Sequence, residues 1–142
     1  MTSPLENLSG PGRSLKAEPA DAREFPGLLR SGNARLQDSR NNALALESRF
    51  DLAYSAAHSF CLATLRWHGF RASNRYIVFQ RLPATLEPGP EVWRVLAKCH
   101  HLRNLAAYEG DVNVDDRIVS DLIAAAGLVE NRVGSLAPIV DQ

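Results

Sequence analysis

Residues 100–111, HHLRNLAAYEGD, gather the groups in this chain best suited to act on an anion. On an α-helix, where each residue advances by about 100°, Val92, Val95, Leu96, Cys99, Leu102 and Ala106 fall on one arc, and Arg103 falls inside it. A guanidinium aimed at a core or an interface must meet a carboxylate, a set of carbonyls, a ligand anion or a water-lined cleft, because an unpaired buried charge is too costly. Its planar donor fork suits phosphate. Asn104 sets an amide beside it, and His100, one turn earlier and about 60° round the helix, can share the same cleft as a proton-transfer group. Tyr108 stands about 140° from Arg103 on a regular helix, so the two converge only if the helix unwinds near AAYEG, which Gly110 favours. With a pKa near about 10, the phenol is a poor general base, but it can donate a hydrogen bond to phosphate or stack on a base. The candidate ligand-binding residues are Arg103, Asn104, Glu109 and Asp51. Two plainer readings of the arginine stand beside these: an internal ion pair with Asp51 or Glu47 that fixes helix register, and an aliphatic stem that covers apolar surface while the head reaches water.

The elements that must position these groups read as helices. FPGLLRSGNARLQDSRN predicts a first amphipathic helix from Phe25 to about Arg40, with Gly32 as a weak point. ESRFDLAYSAAHSFCLATLRWHG holds Phe50, Ala53, Tyr54, Ala57, Cys61, Thr64, Leu65 and His68 in one stripe and stops at Gly69. Its alanines at 53, 56, 57 and 63 invite close helix packing, and Leu52 and Leu62 on the other side mark a central helix or one shared between subunits. NRYIVFQRLPATL contains a β-branched and aromatic run; a short helix is preferred over a strand there, because no second strand is evident to pair with it. Pro90 opens a further helix that runs to Gly110. The last begins near Asn113, an N-cap candidate, and carries Val114, Ile118, Leu122, Ala125 and Val129 to about Val133. The fold expected is an all-α, up-and-down bundle of four to five helices over residues 23–135, with a flexible tail at 1–22 and a frayed end at 136–142.

Composition narrows the function classes. Sixteen basic and sixteen acidic residues among 142 leave no net charge, so no global field draws in nucleic acid or an anionic membrane. A local patch is the alternative: Arg66, Arg71, Arg75 and Arg81 interleave with Trp67, Phe70, Tyr76 and Phe79, a pattern suited to single-stranded nucleic acid as well as to an ordinary solvated face. Cys61 and Cys99 lie on apolar helix faces and read as packing residues. No spacing of Cys and His fits a metal site, and no cofactor motif occurs, so neither metal nor cofactor is expected. Without a secretory signal or a membrane-length apolar run, cytoplasmic residence is the expectation. His58 and His68 read as structural histidines, and Trp67 and Trp93 as packing anchors.

RNLAAY, together with SRFDLAYSAAHSF on the preceding long helix, resembles the HEPN superfamily of small helical bundles, named for higher eukaryotic and prokaryotic nucleotide binding. The likeness in architecture spans roughly residues 25–133. In the active ribonucleases of that superfamily, an arginine, often followed by a polar residue, precedes a histidine by four to six positions. Arg103 and Asn104 match; Tyr108 stands where the histidine is expected. The resemblance implies a homodimer with facing motif helices that binds RNA or a nucleotide phosphate, in a toxin–antitoxin or phage-defence setting. The resemblance thus makes Arg103, Tyr108 and His100 the candidate catalytic residues: metal-independent endoribonuclease activity would be weakened or lost with the histidine, leaving His100 as its stand-in. The alternative is a non-catalytic interaction module, partner to a nucleotidyltransferase or an antitoxin, with Arg103 structural. A third is a bundle with no nucleic-acid link at all.

Overall fold

The computed structural model of the chain describes residues 15–72, 89–110 and 113–136. Within them lie four helices, α1 (Glu24–Ser39), α2 (Leu46–Trp67), α3 (Pro90–Glu109) and α4 (Asp116–Gly134), and a two-stranded sheet of β1 (Leu15–Ala17) and β2 (Phe70–Ala72). The described residues form an all-α bundle, as the apolar periodicity predicts, with one small β element among them.

α2 is the central element. Twelve of its 22 residues are buried, and it packs most extensively against α1 and α4. One stripe, Phe50, Tyr54, Ala57 and Cys61, continues the pattern legible in sequence. A second, Ala56, Ser59, Ala63 and Arg66, runs up the other side. Small side chains on both faces let two neighbouring helices come close. α1 contributes Gly32, which is buried and stays helical: a Cβ there would stand 2.6 Å from Cε1 of Phe60. The glycine thus does not break the helix; it admits the Phe60 ring. α4 buries Val119, Leu122, Ala125, Ala126, Val129 and Val133, a helical spacing that closes the core.

Helix ends follow ordinary capping chemistry. Gly69 and Gly110 take positive φ values of 87° and 77°, a left-handed turn that glycine adopts without a Cβ penalty. The N-cap of α4 is Asp115, two residues beyond the expected Asn113: its carboxylate accepts from Ile118 N at 2.8 Å. At α1, the Asp21 carboxylate accepts from the amides of Arg23 and Glu24 at 2.7 and 3.0 Å, and these two bonds hold its pKa below the ordinary value.

The N-terminal segment departs from expectation. From Leu15 onward the expected tail belongs to the fold: β1 pairs antiparallel with β2 in the register Leu15 to Ala72, Lys16 to Arg71 and Ala17 to Phe70. β2 precedes NRYIVFQRLPATL, and its partner β1 lies in a stretch whose composition reads as disordered. Arg66 fastens it. Its side chain is 2% exposed and donates to the carbonyls of Glu18, Pro19 and Phe70 at 2.9, 2.7 and 3.2 Å and to Glu24 Oε2 at 3.3 Å. Arg71 completes the network, donating to Glu18 Oε2 at 2.6 Å and to both oxygens of Glu24. The proposed basic patch is corrected on this point. Arg66 is buried and both arginines are paired with carboxylates, so neither offers a free cation to nucleic acid; Arg75, Arg81, Tyr76 and Phe79, and the short helix expected over NRYIVFQRLPATL, lie outside the described residues. At the other end Leu136 is half-buried against the core, and residues 137–142 lie outside the described set.

Candidate functional site

The candidate residues meet where the C-terminal half of α3 crosses the N-terminal half of α2. α3 is the least embedded helix: among its described residues only Val92, Leu96 and Cys99 are fully buried. These three set the inward arc, and one turn further on that arc carries Arg103 in place of an apolar side chain. Opposite it α2 presents Asp51 and Tyr54, three residues apart and so on one face.

Arg103 Nη1 donates to Asp51 Oδ1, and its Cζ lies 5.7 Å from the centre of the Tyr54 ring, within cation–π range. Tyr54 is 1% exposed, and its hydroxyl is hydrogen-bonded to His100 Nδ1 at 2.9 Å. The other imidazole nitrogen, Nε2, is 3.1 Å from Asn104 Nδ2. A neutral imidazole has one donor and one acceptor nitrogen. If the Asn104 amide donates to Nε2, Nδ1 carries the proton and donates to Tyr54; rotation of that amide by 180° reverses both roles. Either way, both ring nitrogens are occupied.

The structure thus joins Arg103, Asp51, His100 and Asn104, four of the six residues singled out in sequence, and adds Tyr54. Two expectations change. Arg103 is not buried: its side chain is 38% exposed and that of Asp51 52%, so the pair sits at the rim of the bundle and is solvated on one side. Nor does the helix unwind near AAYEG. It continues to Glu109 and ends at Gly110, so the backbone at Tyr108 keeps the helical angle that holds it away from Arg103; the Tyr108 side chain lies outside the described residues. Glu109 is exposed in the last turn. Tyr54 was read as one more member of an apolar stripe. The signal that could have found it is its spacing of three from Asp51 together with a hydroxyl that a buried site must satisfy.

Within the cluster the charges of Arg103 and Asp51 offset one another. The arrangement can hold two helices in register, and it can present the remaining guanidinium donors and the Asn104 amide to a visitor. Beneath the cluster on α3, burial pushes the Cys99 thiol up to about 12, and desolvation raises that of Cys61 further. Neither is a nucleophile at neutral pH. Among the described residues no three His, Cys, Asp or Glu side chains converge as a metal site, and no helix is long and apolar enough to cross a membrane. Comparison with protein-family models, with curated proteins and with solved structures finds no match.

Proposed function

We propose that the chain is a non-catalytic, HEPN-like interaction module that holds a protein partner, with Arg103 serving helix packing at the rim of the α2/α3 face. The observation that carries this reading is the engagement of the two catalytic candidates whose side chains are described: Arg103 is held by Asp51 and Tyr54, and both His100 nitrogens are taken by Tyr54 and Asn104. A general base needs a nitrogen free to take a proton from the 2′-hydroxyl. A phosphate approaching Arg103 would also meet the Asp51 carboxylate. The HEPN likeness draws support from one further feature, since the two segments that carry it, RNLAAY and SRFDLAYSAAHSF, face each other through Arg103, Asp51 and Tyr54. A protein partner suits α3, which keeps Trp93, Val95 and Leu102 half-buried and Leu105 39% exposed. A second copy of the chain is the first partner to test, with a nucleotidyltransferase or an antitoxin as the wider class implied by the likeness.

The test pairs an RNA-cleavage assay with Arg103→Ala and Leu105→Glu. No cleavage is expected from wild type. Arg103→Ala should cost about 1–2 kcal/mol of stability, the sum of an exposed ion pair and a cation–π contact. Leu105→Glu should abolish self-association or partner binding with stability nearly unchanged. Metal-independent cleavage that Arg103→Ala removes while the fold survives would refute the proposal. A second reading, RNA or nucleotide binding without cleavage, is favoured by the 38% exposure of Arg103 beside an exposed Asn104. It requires binding that weakens steeply with salt and is lost in Arg103→Ala.

A further inference from the structure

A groove of about 690 Å³ lies on another part of the surface, between the end of α1, the start of α2 and the outward face of α4. Its floor is aliphatic, formed by Ile123, Ala124, Gly127 and Leu128 of α4, and Leu128 is 52% exposed, the most exposed large apolar side chain among the described residues. Two arginines flank it. Arg49 is anchored by its Nε, which donates to the Ser39 carbonyl at 2.8 Å, so its terminal amino groups remain available. Arg40 lies across Gly127, with Nη2 3.7 Å from where a Cβ would stand, and its guanidinium has no hydrogen bond or ion pair among the described residues. The acid at the groove, Glu130, accepts from Asn33 Nδ2 at 2.7 Å.

The geometry points to this groove as a docking site for an acidic, amphipathic segment of a partner protein, aliphatic side chains seated on Ala124, Gly127 and Leu128 and carboxylates paired with Arg40 and Arg49. Three physical arguments select that occupant. The groove is open to solvent, so a small molecule would not gain the about 70–90% burial typical of its binding sites. Among the described residues it has no aromatic lining on which bases could stack, and the chain carries no net positive charge, which disfavours a polynucleotide. Two guanidiniums with free donors beside an aliphatic floor match the charge and the apolar face of an acidic helix. None of these residues belongs to the Arg103 cluster, so the inference stands apart from the reading of that site.

Random peptide display on the folded chain, followed by anisotropy titration of the enriched synthetic peptides, tests it. Acidic residues within one helical turn of aliphatic ones are expected to enrich. Arg40→Glu and Leu128→Glu should each weaken binding by about tenfold or more, rising salt should weaken it too, and a peptide with its acids changed to lysine should recover affinity for Arg40→Glu. Circular dichroism melts establish that each variant is folded, with Arg40→Gln as the milder substitution. No enrichment, enrichment without acids, or peptide binding unchanged in both folded variants overturns the proposal, as does a homodimer that these variants dissolve, since the occupant would then be a second copy.

Discussion

Replacing Gly32 by alanine tests the α1/α2 packing directly, because two opposed effects of known size meet at one atom. In an unobstructed helix interior, Gly→Ala stabilises by about 1 kcal/mol through the unfolded chain and helix propensity. At Gly32 the new Cβ would stand 2.6 Å from Cε1 and 3.0 Å from Cδ1 and Cζ of Phe60, whereas carbon atoms in contact settle at about 3.5–4.0 Å. The ring must retreat by roughly 1 Å. Phe60 is 0% exposed, so either its ring leaves its packed position or α1 and α2 part, at an overpacking cost of about 1–3 kcal/mol. The net expectation for Gly32→Ala is a loss of about 1 kcal/mol. Gly127 on α4 supplies the control, since a Cβ there meets only Arg40 Nη2 at 3.7 Å, and Gly127→Ala should gain about 1 kcal/mol. Urea unfolding at constant m-value measures both. A double-mutant cycle with Phe60→Leu should return a coupling well above the roughly 0.5 kcal/mol expected of independent sites. Equal stabilisation by the two alanines, or no coupling to Phe60, would refute the packing argument.

Arg66→Met should cost about 3 kcal/mol, because three backbone carbonyls lose their donor and two carboxylates lose a cation; amide hydrogen exchange should accelerate first in β1, and Arg66→Lys should recover little, since an ammonium lacks the fork that reaches all of these acceptors. Glu18 is held below its ordinary pKa of 4.5, first by the hydrogen bond from Arg71. A depressed carboxylate contributes stability that is present above the unfolded value and lost as pH falls through the folded one. The urea midpoint difference between wild type and Glu18→Gln should therefore be constant near neutrality and shrink below pH 4.5; a difference that grows on acidification would contradict the pairing. With the Cys99 thiol pushed up to about 12 and that of Cys61 higher, iodoacetamide at pH 8 should label both at the rate of global opening and quickly only in urea. Prompt labelling of the native chain would show that the α3 interface opens on its own.

The parts of this molecule legible in sequence are those decided within one helix. The Phe50 to Leu65 stripe, the stops at Gly69 and Gly110 and the α4 spacing depend on neighbours three and four residues away, and helical periodicity reports those neighbours directly. Asp51, like Glu47, could be named as a partner for Arg103 because it is a carboxylate on the long helix that α3 must pack against, and the structure selects Asp51 at the rim. What escaped was decided between segments far apart in the chain. Arg66 looked like part of a surface patch because the carboxylates and carbonyls that neutralise it come from residues 18–24, on the edge of a stretch rich in Ser, Pro and Gly. Its spacing from Ala56, Ser59 and Ala63 was the available clue, since an arginine that extends a small-residue stripe points into a helix contact. Tyr54 was hidden for the opposite reason: a tyrosine satisfies an apolar stripe so well that nothing flags its hydroxyl until His100, 46 residues away, arrives beside it.

Those two cases bear on how the Arg103 cluster is to be read. Among the described residues, Arg66 and Arg103 both enter helix contacts, on different terms. Arg66 is enclosed, five-fold partnered and remote from solvent, as a structural guanidinium must be. Arg103 has one ion-pair partner and one ring, and it keeps more than a third of its surface in water. At such a rim the ion pair and the cation–π contact together contribute about 1–2 kcal/mol, and a leucine as exposed as Arg103 would contribute less than the about 1.5–3 kcal/mol of full burial, so the two nearly balance. The guanidinium therefore serves helix packing while its open side stays within reach of another molecule, and Arg103→Leu separates the two roles: a variant as stable as wild type but defective in association identifies Arg103 as an interface residue as well, whereas one that is less stable and fully competent leaves it to packing alone.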